Sequence, residues 1–592
     1  MKSIINIRKL RLWICLSVGL LFFSSVIGQT SDHIFKAAGT PANPKVNISW
    51  NRYYTYDGIT EICKKLANAH PNLVEMESIG KSYQNRDIWV LTISNLKNKK
   101  HVKKPGFWID ANIHSNEIQG SEIALYTAWY LAESYNENDF IKELLDDKVF
   151  YIAPTINPDA RDHYMKYPNT SGSPRSGLVP VDDDGDGLIN EDGYDDLNND
   201  GHITRIRRRN PNGRYKSDPD DPRRMIMVGP DEEGEYELLG YEGLDNDGDG
   251  RINEDRVGSY DPNRNWPWQW QPEYIQRGSH KYPFSIPENR AVGNFIIAHP
   301  NIAGAQTYHN SGGMILRGPG IADDVGIYTR VDLAVYDAIG EKGDKLLPGY
   351  RYMVLYQDLY TVYGGSLNWY YEGRGIFSFC NELFTSHLYF HKEYESREQS
   401  SSDQYEFEKY LLFEDAFVDW EEYDHPQFGK VEIGGFKKNF GRNHPGFLLE
   451  MDAHRNMAFT IYHAYHTPKL VIEKIEEKNL GGGYKEVTVE VANKRLIPTH
   501  SSHDIKNKIS RPDYISITGA NVVAGLFVPA RTSSGFFRSS SVETFIEQTV
   551  NPEVIKIENI PGLGSVKVRW IISGNSNYTI KVDSEKGGVV EK

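Results

Sequence analysis

His114 and Glu117 set an imidazole and a carboxylate three positions apart, directly after the apolar run Phe107-Trp-Ile-Asp-Ala-Asn-Ile. Both can turn toward one point, and a nitrogen and an oxygen donor so placed suit a borderline-soft divalent cation, most often zinc. His-x-x-Glu is a short pattern that can arise by chance, yet of 18 histidines only His114 has Glu at +3. A catalytic zinc needs a third protein ligand and an open position. His309, which ends the apolar run Ile302-Ala-Gly-Ala-Gln-Thr-Tyr, would supply that ligand. Glu382 stands inside another apolar run, Phe377-Ser-Phe-Cys-Asn-Glu-Leu. A buried unpaired glutamate is rare. It is either a paired structural charge or, as the better account, a general base acting on a metal-activated water. In Asp261-Pro-Asn263-Arg264 an amide and a guanidinium stand side by side, and an arginine fork suits bidentate capture of a carboxylate.

These residues fall where strands should end. Gly58 to Ala69 has helical spacing; strand-like runs at 74–79, 88–93, 107–114, 149–156, 302–309 and 376–383 alternate with helical stretches such as Glu122 to Tyr135. That alternation predicts an α/β fold, a mixed central sheet with helices on both faces and its ligand site at strand C-terminal ends. After about Pro468 the pattern becomes period-two (Val487, Val489, Val491; Val566, Val568, Trp570; Ile580, Val582), which predicts a small antiparallel β-sandwich over 468–592. That part holds no cluster of catalytic residue types, so an accessory role is expected.

The composition excludes other classes. Hydrophobic residues make up 39% of 592 and aromatics 12%, the profile of a folded protein with room for more than one domain. A net charge of −15 argues against nucleic acid or an anionic membrane as the main partner. Lys2, Arg8, Lys9 and Arg11 ahead of an apolar run from Leu12 to about Gly28 read as a cleaved export signal over 1–28, with a single-span anchor as the alternative. Secretion or a periplasmic location follows, with no membrane span after cleavage. Cys15 lies too early in that run to suggest a lipid-modified cysteine, while Cys63 and Cys380 read as buried free thiols.

Between 180 and 256 the chain turns acidic. Asp182-Asp-Asp184-Gly-Asp186-Gly and Asp245-Asn-Asp247-Gly-Asp249-Gly begin two near-copies of one motif; Asp196-Leu-Asn198-Asn-Asp200-Gly is a looser third. Oxygen ligands at positions 1, 3 and 5 followed by Gly describe the start of a calcium loop, although no bidentate Glu stands at position 12. The alternative is a solvated acidic flap without a cation.

Seven motifs in order carry a family resemblance: Gly80-Lys-Ser-Tyr-Gln-Asn-Arg-Asp-Ile-Trp, His114-Ser-Asn-Glu117, Asn157-Pro-Asp, Asp261-Pro-Asn-Arg-Asn-Trp, His309, Tyr360 ahead of Gly364-Gly-Ser, and Glu382-Leu. From about Tyr53 to Tyr465 the chain resembles the zinc carboxypeptidase family of the carboxypeptidase A type, which implies a catalytic domain over 50–467 interrupted by the acidic insert. The resemblance implies zinc on His114, Glu117 and His309, and Glu382 as general base and then acid. It implies that Asn263 and Arg264 hold a substrate's C-terminal carboxylate, that Asp261 orients a ligand histidine, that Tyr360 closes over substrate, and that Leu367 lies at the base of the specificity pocket. The family's oxyanion arginine follows a bulky apolar residue; Arg207 after Ile206 is the best match, with Arg208 close behind. Asn116 departs from the pattern, standing where many members have Arg. The implied activity is removal of C-terminal residues, apolar or aromatic, from peptides. The alternatives are a peptidoglycan stem-peptide or side-chain amidase of the same fold, and a calcium-dependent binding protein with an inactive hydrolase domain.

Overall fold

Side chains along a strand alternate between its two faces, and Phe107–Ala111 shows what that does here. Phe107, Ile109 and Ala111 enter one apolar cluster, while Trp108 enters another on the opposite side. In the computed structural model, which describes residues 37–592 apart from 99, 183–184, 392–396, 529–543 and 575–576, this strand is near the middle of an eight-stranded sheet. The export signal read at 1–28, Cys15 within it, and Asp184 lie outside the described residues. The strands are β1 (Val74–Lys81), β2 (Asp87–Ile93), β3 (Gly106–Ala111), β4 (Val149–Ala153), β5 (Ile302–Asn310), β6 (Met314–Arg317), β7 (Arg351–Val354) and β8 (Phe377–Leu383), in the spatial order β1-β2-β4-β3-β5-β8-β6-β7. The central four, β4, β3, β5 and β8, are parallel; β2 and β6 join them antiparallel, so the sheet is mixed.

Helices cover both faces, as the alternation predicts. On one side lie α1 (Tyr56–Ala69), α2 (Gln119–Ser134), α4 (Arg330–Leu346) and α5 (Gly446–Tyr465); α3 (Pro287–Ala298) packs on the other with Val292, Phe295 and Ile296. Every residue of α2 is buried, so it lacks the polar stripe of a surface helix. Gly120 allows it to sit so close: a Cβ there would lie 2.8 Å from the Cβ of Tyr308 on β5. Cys63 and Cys380 are buried free thiols. Among the described residues no helix is long and apolar enough to cross a membrane.

The acidic insert is not only a loop. Arg205–Arg209, Tyr215–Ser217, Met225–Met227 and Tyr236–Tyr241 form strands that join the hairpin Phe417–His425/Gly429–Phe436 in a second, six-stranded sheet. Arg205-Ile-Arg-Arg-Arg carries almost no apolar periodicity, Tyr215–Ser217 and Met225–Met227 are three residues each, and Tyr236-Glu-Leu-Leu-Gly-Tyr does not alternate, so the sequence alone does not mark them as strands. The hairpin lies between Glu382 and α5, outside the apolar runs that the sequence marks as strands.

Beyond Pro468, two antiparallel sheets of five and four strands face each other across Val487, Val489, Val568 and Trp570 on one side and Ile515, Ile517, Ile580 and Val582 on the other. This is the β-sandwich that the period-two pattern predicts. Buried charge fastens it to the larger sheet. Lys586 Nζ donates to the carbonyls of Arg374 and Gly375 at 3.0 and 2.9 Å and pairs with Asp504 at 2.8 Å. His500, between Asp504 (3.3 Å) and Asp513 (3.2 Å), completes the group. Burial alone would lower the His500 pKa, but the two carboxylates overcome it and raise it to about 9. A raised folded-state pKa stabilises fully below the unfolded value of about 6.5, and the benefit is lost as pH rises through 9. We expect the stability advantage of wild type over His500→Gln, measured by urea unfolding, to shrink by up to about 3 kcal/mol between pH 6 and pH 9.5. A pH-independent difference would mean that His500 acts through packing alone.

Candidate metal centre

The metal loop is rolled around one buried amide. Asn112 follows β3 in the left-handed region (φ 61°), a conformation that asparagine tolerates better than most residues. Its side-chain amide donates toward the carbonyls of His114 (2.8 Å), Ser115 (3.2 Å) and Glu117 (3.3 Å), while its Oδ1 accepts from Thr155 at 3.0 Å. The turn so closed directs both His114 and Glu117 to the end of the sheet. One strand over, β5 pairs Tyr308 with Ala111, which brings His309 level with the loop. His114 Nδ1 and His309 Nδ1 lie 2.9 and 3.1 Å from Glu117 Oε2 and 3.1 Å from each other; all three residues are buried.

Donor atoms at about 2.0–2.1 Å from a tetrahedral zinc stand roughly 3.3 Å apart, so these three fit the ion. Protonation supports the same reading. His114 Nε2–H donates to Asp261 Oδ1 at 2.9 Å, which leaves the lone pair of Nδ1 facing the other two donors. Burial works against the charge of Glu117, but His114 and Arg175 hold its carboxyl well below the usual range. The Asp261 carboxyl is mostly buried, which works against its charge, and is held well below its usual value by Arg264, His114 and Arg175.

Glu382 is placed by register: on β8 it pairs directly with His309 of β5. Burial and then the Glu117 charge raise its pKa to about 7, against the opposing pull of His309, Arg175 and Arg442. Asp261, Asn263 and Arg264 come from a single turn. Arg264 is mostly buried and donates to the Asn263 carbonyl at 2.8 Å, and Asn263 Oδ1 accepts from the Ser366 amide at 2.8 Å. Gly364 makes this junction possible. Its φ is 62°, and a Cβ there would lie 2.6 Å from the Arg264 carbonyl oxygen. Tyr360 is 47% exposed, with its ring centroid 6.0 Å from the Arg264 guanidinium. Leu367 is buried among Leu316, Val362 and Cys380.

Arg207 is elsewhere. It lies on the six-stranded sheet, bonded to Glu432 at 2.7 Å, with its guanidinium 4.3 and 4.1 Å from the ring centroids of Tyr236 and Trp420. Arg208 is tied to Glu237 at 2.6 Å. A guanidinium sandwiched between aromatic rings and neutralised by a carboxylate is a packing element of that sheet. The arginine at the metal ligands is Arg175, whose NH1 donates to Glu117 Oε1 at 2.6 Å and whose Nε lies 3.5 Å from Asp261 Oδ2. Its segment is bound to the metal loop: the Ser115 amide donates to the Arg175 carbonyl at 3.1 Å, and Asn157 links the carbonyls of Ile113 and Ser176. The signal that could have found it is proximity along the chain, since Arg175 follows Asn157-Pro-Asp before the insert begins. Arg442 also went unread. It lies between the hairpin and α5, with its NH1 3.5 Å from Glu117 Oε1 and 2.8 Å from the carbonyl of Asn310.

The acidic runs divide. Asp186, Asp245, Asp247 and Asp249 belong to clusters of carboxylates whose oxygens lie within 4.8 Å of one another. Asp182 accepts from the amides of Gly185 and Gly187. Around Asp196, Asn198 and Asp200 no such cluster forms among the described residues, and Asp196 instead accepts from the amides of Asp200 and Gly201. The looser third run closes its own turn.

The sequence pattern of the zinc carboxypeptidase family matches residues 59–173 and 188–402, more than half of the chain, and the chain belongs to that family. Residues 469–592 match a second family, described as a domain of unknown function. Carboxypeptidase M of Mus musculus is 32% identical over 115 residues, 19% of this chain and 26% of that protein. Carboxypeptidase D of Rattus norvegicus is 30% identical over 125 residues, 21% and 9% of the two chains. The chain thus spans about a quarter or less of the length of these relatives. The crystal structure of carboxypeptidase A from Helicoverpa armigera has 19% identity and a TM-score of 0.38, covering 63% of this chain and 75% of that one.

Proposed function

We propose that this protein is an exported zinc carboxypeptidase that removes apolar or aromatic C-terminal residues from peptides. The observation that carries the reading is the pairing of Glu382 with His309 in register, beside a buried His-Glu-His donor set and within one turn's reach of Asn263 and Arg264. Zinc held by His114, Glu117 and His309 would polarise the scissile carbonyl and lower the pKa of a water. The chain's own groups do the rest. Arg264, held by the Asn263 carbonyl and by Asp261, receives the substrate's terminal carboxylate, and Asn263 and Tyr360 flank it. Glu382 accepts the proton of the attacking water and passes it to the leaving amine. Arg175 takes the oxyanion role that the resemblance had given to Arg207, because of the two guanidinium groups at Glu117 it is the nearer and the one that also approaches Asp261. Arg442, beside the backbone of Asn116 through the Asn443 amide, supplies positive charge where Asn116 has none.

The apolar surroundings of Leu367 support the choice of terminal residue. An acidic group at the pocket base would pair with Lys or Arg, and leucine cannot. Apolar contacts discriminate by about 1–3 kcal/mol per methylene, so we expect kcat/KM for peptides ending in Phe or Leu to exceed that for Lys or Arg by roughly 10-fold or more. The test is incubation of the zinc-loaded protein with such peptides and with peptidoglycan stem peptides, products being identified by mass. Single-residue loss from the C-terminus, stopped by a zinc chelator, is the expected result. Release from stem peptides alone would move the enzyme to the amidase reading, and no turnover of any substrate would favour an inactive hydrolase domain.

A further inference from the structure

The described residues of the acidic near-copies at 182–192 and 245–255 adopt the same local structure. Gly185 and Gly187 (φ 86° and 98°) match Gly248 and Gly250 (φ 89° and 93°), and Asn190 matches Asn253 in the left-handed region. Asp182 accepts from its two glycine amides at 2.7 and 3.1 Å, Asp245 from its own two at 2.6 and 3.0 Å. These matching bonds fix the backbone of each copy; they do not by themselves indicate a ligand.

What indicates one is the way the copies meet. The Asn190 amide donates to Asp255 at 3.0 Å, and the Asn246 side chain donates to Asp192 at 3.3 Å. Glu191 lies against Asp255 and Glu254 against Asp192, so the glutamate of each copy faces the aspartate of the other. Asp192 and Asp255 are 0% exposed. Each keeps one oxygen without a hydrogen-bond partner, and both oxygens of Glu191 and of Glu254 are buried and unpartnered as well. Burial, followed by the facing carboxylate, pushes Glu191 and Glu254 up to about 7. A solvated flap would splay such charges apart; here they are pressed together, and the inward oxygens find no N–H or hydroxyl donor.

The donor groups cross between the copies. Asp247 forms one cluster with Asp186 and Glu191 of the first copy, and a second with Asp192 of the first and Glu254 of its own, the oxygens in each lying within 4.8 Å. All-oxygen donors, mostly carboxylate, on a flexible glycine turn suit calcium rather than zinc or magnesium. We propose that the two copies clasp a pair of calcium ions bridged by Asp247, one closed by Asp186 and Glu191 and the other by Asp192 and Glu254. Each of these two sites draws donors from both copies, unlike the Asp245, Asp247 and Asp249 group of the second copy alone and unlike a helix-loop-helix calcium site with its full ligand set in one loop. The ions would tie together both ends of the insert. Its roots already touch, the Val179 amide donating to Tyr260 Oη at 3.2 Å; one root adjoins Arg175 and the other adjoins Asp261.

The test is calcium titration of the full, chelator-treated and zinc-reloaded chain, followed by calorimetry and native mass spectrometry. Wild type is expected to take up two calcium ions. Asp247→Asn, a change at an exposed position that leaves the fold intact by circular dichroism, is expected to lose both; Glu254→Gln is expected to weaken uptake, and Asp200→Asn in the third run to leave it unchanged. Calcium should also protect the 180–256 segment from limited proteolysis in wild type and not in Asp247→Asn. No uptake at millimolar calcium, uptake unchanged in Asp247→Asn, or loss of only one ion there would each overturn the shared centre. The readout is calcium itself, so the outcome does not depend on whether the protein cleaves peptides.

Discussion

Glu382→Gln is expected to retain stoichiometric zinc and to lose roughly 10²- to 10⁴-fold in kcat, the range for a positioned general base or acid. The change is nearly isosteric and removes only the ability to take up and release a proton. The β8–β5 register that sets Glu382 beside His309 is made by backbone bonds and should survive. His309→Ala should behave in the opposite way, losing the metal first and activity as a consequence, because two of the three donors cannot close the site. Metal content and kcat measured on both proteins separate the roles. A folded, zinc-loaded Glu382→Gln protein with near-normal turnover would remove Glu382 from the chemistry.

Arg175→Gln is expected to lower kcat/KM by about 10²- to 10³-fold, the scale for losing one oxyanion donor. Arg207→Gln should stay within a few-fold of wild type. The contrast follows from placement: Arg175 bonds to Glu117 and approaches Asp261, whereas Arg207 is spent on Glu432 and two aromatic rings. Arg175 also helps keep Glu117 ionised, so zinc content must be measured alongside the rates. Equal losses in the two variants at equal zinc would return the role to the insert sheet. Arg207→Gln should instead lower stability, through loss of the stacked guanidinium and of the stronger of the two arginine partners of Glu432, which keeps only Arg209 at 3.4 Å.

The sequence by itself determined everything that depends on spacing within one element or on the faces of one strand. His114 and Glu117 are three residues apart, so one turn aims both wherever the loop sits. The apolar runs ending at His309 and holding Glu382 mark strand ends, and in a parallel sheet those ends lie side by side. The helices, the mixed sheet and the β-sandwich were legible for the same reason, since burial writes its period directly into the residues. Tertiary structure alone decided which arginine reaches the ligands, because reach is a distance through space and Ile206-Arg207 matches a local pattern that Ser173-Pro-Arg175 does not. It also decided that Arg442 arrives from the far side of the hairpin, and that the arginine-rich strand Arg205–Arg209 of the insert finds its partner more than 200 residues away, at Gly429–Phe436. The acidic near-copies show the division most directly. Each announces oxygen donors in its own sequence, but the pairing of Glu191 with Asp255 and of Glu254 with Asp192 exists only once the chain has brought the copies together. Carboxylates from separate segments carry no signal of their meeting until packing has removed the water between them.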